Sequence, residues 1–302
     1  MGRLGAKTVL VLLASAWCAC ADDWQEALRL QVALDRLGFS PGVLDGKAGR
    51  KTGLAMAALA RARGVEGPLS LDDLMASDVE TTRAYSITSA DVALVGPVPT
   101  DWEERSGLEA MTYESIHDLV AERGHCTRAT IERLNPGVEI ASLGAGDAVV
   151  IPNVLDDPGA EDLVEEVVVD LEEKTVAARD AEGRTVALFH CSIAAFAEKR
   201  PAGTTSVKVV ATDPDYTFDP EKWPEVKGIS RKLRIPPGPR NPVGLAWIGL
   251  ELPGYGIHGT PAPEMIGKTG SHGCIRLTNW DAVRLARRVL VGTPVRFVGA
   301  AK

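Results

Sequence analysis

The pattern of apolar residues changes at Val164, and this change constrains the fold more than any other feature. Upstream the spacing is helical, whereas downstream short runs rich in β-branched residues alternate with turn formers, as is typical of strands. The turn at 180–183 predicts a β-hairpin. Strands are predicted at 175–179, 185–189, 207–211, 245–250 and 294–298. Only 281–290 has helical spacing, so the sequence predicts a mainly β domain over 163–299, a sandwich or a closed sheet.

A small helical domain is predicted at the start of the chain. Leucines recur at helical spacing over 30–37, turn formers fill 40–46, and a second helical pattern runs over 52–64. We therefore predict an α-helical domain over 22–85 and a polar, proline-containing linker over 86–110.

A second small domain is predicted before the β domain. Helical apolar faces occur at 116–120 and 131–134, and the run at 149–151 reads as a closing strand. These elements predict an α+β unit of βααβ type over 111–155, and the Asp/Pro/Gly stretch at 156–159 is a second linker. The chain is thus expected to be multidomain.

A histidine and a cysteine occur close together near the end of the chain. His258 is followed by Gly259, and the string 271–277 contains Cys274 after Gly273. A thiol is a nucleophile only as thiolate, so a catalytic cysteine needs a neighbouring base. Glycines beside such residues let the backbone point amides and carbonyls into a site. The residues favour a cysteine nucleophile with a histidine base.

This ordered set of motifs resembles the catalytic domain of the YkuD-type L,D-transpeptidases. The strings that carry the resemblance are 256–260, 271–277, 280–281 and 292–295, with accessory stretches at 200–204 and 239–244. The resemblance spans roughly residues 163–298 and implies a YkuD-like β-sandwich. It also implies an acyltransferase that uses no cofactor and no metal.

The resemblance implies roles for the central residues. Cys274 is the nucleophile, His258 is the general base, the carbonyl of Gly259 orients His258, and the amide of Gly273 contributes to an oxyanion hole. To be largely ionised at neutral pH, the thiol would need its pKa lowered by about two units, which takes roughly 2.7 kcal/mol. An imidazolium and a few backbone amides can supply that amount.

Three further residues are implied to support the loop or the substrate: Ser271, His272 and Arg276. The alternative for His272 is a packed side chain that only stabilises the loop. A zinc site built from His258, His272 and Cys274 is the main rival chemistry. It would remove at least one of these residues from the role that the resemblance gives it.

The two small domains also resemble known modules. Residues 24–64 are similar to a peptidoglycan-binding type 1 domain, although Ala48 stands where that family usually has an aromatic residue. Residues 111–153 are similar to a LysM module, which binds glycans that contain N-acetylglucosamine. The alternative for both units is a spacer, since a fold does not secure a function.

Composition narrows the functional classes. The hydrophobic share is 45% and mean hydropathy is zero, as in an ordinary globular protein. Residues 163–302 hold 19 of the 33 Lys and Arg residues and 16 of the 41 Asp and Glu residues. Residues 1–162 hold the other 14 basic and 25 acidic residues, so the first part of the chain is acidic and the second slightly basic. Neither part has the strongly basic charge that is typical of a nucleic-acid-binding protein. Basic residues in the Pro/Gly-rich stretch 228–242 either attract a carboxylate-bearing substrate or form a solvated loop.

The first residues are typical of an export signal. Residues 1–21 contain basic residues, a short apolar run and a small-residue cleavage pattern, which predicts a signal peptide and a location in the periplasm or cell envelope. Lipidation of Cys18 or Cys20 is the competing interpretation. In an oxidising compartment, Cys126 and Cys191 either form a disulfide or stay as separate buried thiols.

The sequence therefore predicts an exported L,D-transpeptidase that acylates itself on peptidoglycan tetrapeptide stems, releases D-Ala and transfers the acyl group to an amine. The expected partners are stem peptides and glycan, with an amine of another stem or of an outer-membrane protein as acceptor, and no nucleic acid. Two alternatives remain. The domain could use water as an L,D-carboxypeptidase or cross-link hydrolase, or the chain could be a non-catalytic wall-binding protein.

Overall fold

The computed structural model describes residues 24–67, 69–74, 80–154, 163–223, 226–271 and 273–299. The predicted signal peptide and His272 lie outside the described residues. Over these ranges, no helix combines the length and the apolar character that crossing a membrane requires.

Eight helices are present in the described ranges, and several begin at side chains that accept a hydrogen bond from the first turn. They are α1 (Trp24–Arg36), α2 (Arg50–Ala62), α3 (Leu71–Leu74), α4 (Ser89–Ala93), α5 (Trp102–Ser106), α6 (Ile116–Arg123), α7 (Arg128–Leu134) and α8 (Asn279–Ala286). Ser115 caps α6, Thr127 caps α7, and Thr278 caps α8. Helix α8 is the helix that the spacing predicted in the β domain.

Twelve strands are described, of which eight form one large sheet. They are β1 (Thr82–Ser86), β2 (Ala148–Pro152), β3 (Glu166–Asp170), β4 (Thr175–Arg179), β5 (Thr185–His190), β6 (Gly203–Thr212), β7 (Tyr216–Phe218), β8 (Leu233–Ile235), β9 (Ala246–Leu250), β10 (Gly256–His258), β11 (Ile275–Arg276) and β12 (Pro294–Val298). The order in the large sheet is β11-β10-β9-β6-β12-β3-β4-β5. The predicted hairpin at 180–183 joins β4 and β5.

The large sheet folds over itself at β6. The first residues of this strand pair with β12 and the later ones with β9, and the register shifts between Val207 and Val209. Side chains of both halves, such as Val167 and Ile257, share one buried core with α8. The sequence predicted a mainly β domain in the form of a sandwich or a closed sheet, and the structure has one curled sheet whose two halves face a common core. The strand that joins the halves, β6, contains the predicted strand 207–211 and extends from Gly203 to Thr212.

The βααβ unit begins earlier in the chain than the sequence predicted. Strand β1 pairs antiparallel with β2, from Thr82 opposite Pro152 to Ser86 opposite Ala148. This first strand falls across the predicted boundary between the helical domain and the linker. The stretch 86–110 also contains α4 and α5 rather than irregular chain alone. Alternation was weak in β1 because no residue of this edge strand is fully buried.

The helical unit packs against both of its neighbours instead of standing apart as a separate module. Leu28 and Val32 of α1 belong to the core of the βααβ unit, whereas Leu34 shares a core with Leu188 of β5. A buried ion pair between Asp35 and Arg284 joins α1 to α8. The chain therefore forms one continuous packed body across these contacts.

The two cysteines whose possible disulfide the sequence left undecided lie in different cores. Cys126 is a buried free thiol in the core of the βααβ unit, and Cys191 is a buried free thiol in the core of the β domain. The structure thus excludes the disulfide alternative. Burial raises the pKa of both thiols, which leaves them protonated and unreactive at neutral pH.

Candidate active site

Two short parallel strands bring the catalytic candidates together. In the pairing of β10 with β11, Ile257 lies opposite Ile275 and His258 opposite Arg276. Cys274 directly precedes β11, so it lies beside the start of β10. This pairing places Cys274 beside Gly256, two residues before His258 and on the same face of the two strands, although Cys274 and His258 are sixteen positions apart in the chain.

The ring of His258 is fixed on both sides. Its Nδ1 lies 2.7 Å from the carbonyl oxygen of Gly259, and its face stacks on Trp247 with ring centroids 5.6 Å apart. A carbonyl can only accept, so Nδ1 carries the proton and Nε2 keeps a lone pair. Burial lowers the pKa of His258 to about 4. The imidazole is therefore neutral at pH 7 and oriented as a base.

Cys274 is protonated at neutral pH in this structure. Its Sγ lies 3.7 Å from the carbonyl oxygen of Gly254, to which the thiol donates. Burial raises the pKa of the Cys274 thiol, although the amide of Gly256 and the guanidinium of Arg276 act in the opposite direction. The condition for a largely ionised thiol, a pKa lowered by about two units, is not met in this state. The site fits general-base removal of the thiol proton rather than a preformed ion pair.

The predicted support residue Ser271 holds the loop around the cysteine. Its backbone pairs with Ile193 and Ala195, and its hydroxyl donates to the carbonyl oxygen of Cys274. The same hydroxyl accepts the amide of Gly273 at 3.2 Å. The amide predicted for the oxyanion hole is therefore bonded inside the loop here. An oxyanion role requires exchange of this long bond for one to the substrate.

Arg276 lies close to the thiol and holds the loop. Its backbone exchanges two hydrogen bonds with Ser192, and its Nη1 lies 3.4 Å from the carbonyl oxygen of Gly270. Burial lowers the pKa of this guanidinium, while Cys274 and Tyr216 act to raise it. Arg276 thus adds a positive charge near the position where the thiolate would form.

A small hairpin lies near the thiol. Strand β7 pairs with β8, and Tyr216 and Lys222 of the hairpin lie near enough to interact electrostatically with Cys274. The hydroxyl of Tyr216 accepts the indole NH of Trp223 at 2.9 Å. Trp102 of α5 stacks on Phe218 at 4.4 Å between ring centroids. This hairpin is therefore supported by the segment that the sequence assigned to a linker.

The basic residues of stretch 228–242 are engaged in ion pairs. The pairs are Arg231 with Glu103, Lys232 with Asp219, Arg234 with Asp215, and Arg240 with Glu114 and Asp118. Their side chains therefore have acidic neighbours within the protein, which weakens the interpretation that this stretch attracts a substrate carboxylate.

Sequence reasoning missed three residues of the site: Tyr216, Trp247 and Asn279. Aromatic residues in strands are more often core than site, so the sequence offered no signal for Tyr216 or Trp247. Asn279 had a usable signal, because it follows the helix cap Thr278 directly after the catalytic loop.

The part of the chain that contains this site is similar to known proteins. Residues 165–297 match the family described as YkuD, the L,D-transpeptidase catalytic domain. A Bacillus licheniformis protein that carries the name L,D-transpeptidase YkuD is 27% identical over 182 residues, which cover 60% of this chain and 92% of that protein. The protein named probable L,D-transpeptidase YbiS of Escherichia coli is 32% identical over 169 residues, 54% of each chain.

A solved L,D-transpeptidase of Mycobacterium smegmatis is 20% identical, with a TM-score of 0.35 over 52% of this chain and 65% of that one. The chain spans about half the length of YbiS and nearly all of the Bacillus licheniformis protein.

The matched family and the relatives identify the chain as an enzyme of the acyltransferase class. Residues 165–297 carry the match to the YkuD-type L,D-transpeptidase catalytic domain. The resemblance seen in the sequence is thereby confirmed for this domain. The resemblances of the two upstream units to glycan-binding modules stay predictions.

Proposed function

We propose that this protein is a cysteine-dependent L,D-transpeptidase that acts on peptidoglycan tetrapeptide stems. The observation that carries the proposal is the neutral, buried His258, held through Nδ1 by Gly259 on the strand that pairs with the residues directly after Cys274. The matched family supports the substrate class, since L,D-transpeptidases act on stem peptides.

The first half-reaction forms a thioester. His258 Nε2 takes the proton of Cys274 while Sγ attacks the carbonyl carbon of the residue that precedes the terminal D-Ala. The new S–C bond gives a tetrahedral oxyanion, to which the amide of Gly273 would donate. When the C–N bond breaks, His258 returns the proton to the leaving amine, and D-Ala departs.

The second half-reaction returns the thiol. An amine of a second stem, or of an envelope protein, attacks the thioester and gives its proton to His258, and the proton then passes to the sulfur of Cys274. The Tyr216 hairpin lies near the thiol and is the proposed wall of the acceptor site. Residues 1–21 are proposed to export the enzyme to the periplasm or cell envelope. The two upstream units are proposed to bind glycan.

The test is turnover of a purified disaccharide-tetrapeptide by the protein without its signal segment. We expect free D-Ala and a cross-linked dimer in liquid chromatography with mass detection, and neither product from the Cys274→Ala variant. Release of D-Ala without any dimer would identify the hydrolase alternative. Absence of D-Ala release from a protein whose thiol is intact would refute the proposal.

A further inference from the structure

One buried side chain connects three parts of the molecule behind the catalytic base. Asn279 is fully buried at the start of α8. Its Oδ1 accepts the amide of Leu245 at 3.2 Å, and its Nδ2 donates to the carbonyl oxygen of Pro239 at 3.1 Å. The same Nδ2 lies 3.2 Å from each carboxylate oxygen of Glu122. Glu122 belongs to α6 of the βααβ unit and not to the catalytic domain.

Asn279 also packs directly on the peptide that orients His258. A Cβ at Gly259 would lie 2.4 Å from Oδ1 of Asn279, and a Cβ at Gly244 would lie 2.0 Å from it. Both positions therefore need glycine, because no side chain fits between the backbone and this amide. The carbonyl of Gly259 is the acceptor that fixes the ring of His258. A displaced Asn279 would thus shift the acceptor and tilt the imidazole.

Glu122 is anchored independently of Asn279. The hydroxyl of Tyr113 donates to its Oε1 at 3.0 Å, and Arg240 and Arg123 face it. Burial raises the pKa of Glu122 to about 7. Burying a carboxyl group away from water costs free energy unless another group forms a hydrogen bond with it. The partner across the interface is Asn279.

The backbone adds a second link between the same two units. The amide of Met111 donates to the carbonyl oxygen of Pro237 at 2.8 Å, and the amide of Arg240 donates to that of Met111 at 3.1 Å. These bonds hold the segment whose Pro239 carbonyl accepts from Asn279. The βααβ unit therefore fixes Asn279 both directly and through this segment.

We propose that the βααβ unit is a positioning element of the active site, in which Glu122 fixes Asn279 and Asn279 fixes the Gly259 peptide that orients His258. Glu122 and Asn279 are positioning residues, since neither contacts the thiol. The inference rests on the proposed roles of His258 and Cys274, but it does not depend on the identity of the acyl donor or acceptor.

The test follows alkylation of each cysteine by iodoacetamide at pH 7 in the full chain, with peptides resolved by mass spectrometry. We expect Glu122→Leu to slow the alkylation of Cys274 by about 10- to 100-fold, the size of effect that a misplacement of about 1 Å produces. Glu122→Gln keeps an acceptor for Asn279 and should retain a rate near that of the wild type. Glu139→Leu changes an exposed glutamate of the same unit and should have no effect.

The buried cysteines separate positioning from loss of structure. If Glu122→Leu merely loosened the fold, Cys126 and Cys191 would become more reactive. We expect their alkylation to stay as slow as in the wild type while that of Cys274 falls. A wild-type rate at Cys274 in Glu122→Leu, or faster alkylation of the two buried thiols, would overturn the proposal. Failure of the wild type to process muropeptides would instead refute the proposed function and leave this result standing.

Discussion

Removing the buried cation at the contact between α1 and α8 should destabilise the whole molecule. Arg284 is completely buried and donates to both carboxylate oxygens of Asp35, at 2.8 and 3.2 Å. Asp281 lies 3.9 Å from the same guanidinium. In the variant Arg284→Met the apolar volume is largely kept, but two carboxyl groups lose their cation. Breaking a buried pair in this way costs about 3–5 kcal/mol.

The predicted loss can be measured by thermal unfolding. A change of 1 kcal/mol shifts Tm by about 2–4 °C in a domain of 150–250 residues, so the expected drop is roughly 6–20 °C. Arg50→Met is the matched control, because Arg50 pairs with Glu173 between the same two regions but is exposed. Such a surface pair contributes about 1 kcal/mol or less. Equal small shifts for both variants would refute the reasoning.

The pH dependence gives a second check on the same pair. Burial opposes ionisation of Asp35, but Arg284 and His125 hold the pKa of this carboxyl below its usual range. A lowered carboxyl pKa contributes stability above the unfolded value near 4, and the contribution is lost as pH falls through the folded value. The difference in unfolding free energy between wild type and Arg284→Met should therefore be present in full at neutral pH and should shrink as pH falls below 4 towards the lowered folded value.

Three further predictions concern the site. Cys274→Ala should abolish turnover and Cys191→Ala should keep the rate per folded molecule, as measured by D-Ala release; turnover by the first variant would place the nucleophile elsewhere. Alkylation of Cys274 should change little between pH 6 and 8, because His258, with a pKa of about 4, is already neutral and can remove the thiol proton, and it should rise at higher pH, where the thiol, whose pKa burial raises, begins to ionise by itself; a steady rise through pH 7 would show that His258 does not assist. Gly244→Ala should slow this alkylation, whereas Gly64→Ala, with a similar φ (+66° against +63°) but open space around its Cβ, should not; equal rates would show that backbone strain alone matters.

The sequence by itself determined the domain class and the chemical groups. Alternation after Val164 predicts the strands, since a half-buried strand exposes every second side chain. The residues 256–260 and 271–277 carry the resemblance that the family match confirms for 165–297. The Nδ1 contact of His258 with Gly259, implied by that resemblance, is also present in the structure.

Only the tertiary structure decided the protonation state of the site and the relation of the upstream units to it. The pKa of Cys274 depends mainly on how far the fold buries the thiol away from water. The burial of a side chain cannot be read from a sequence motif. The contact between Glu122 and Asn279 joins residues 157 positions apart, and no local pattern marks it. Local periodicity specifies elements and their faces, whereas long-range packing specifies which buried polar groups meet. For this reason the unit over 111–155, which the sequence predicts as a LysM-like module or a spacer, supplies the Glu122 carboxylate that meets Asn279 in the fold.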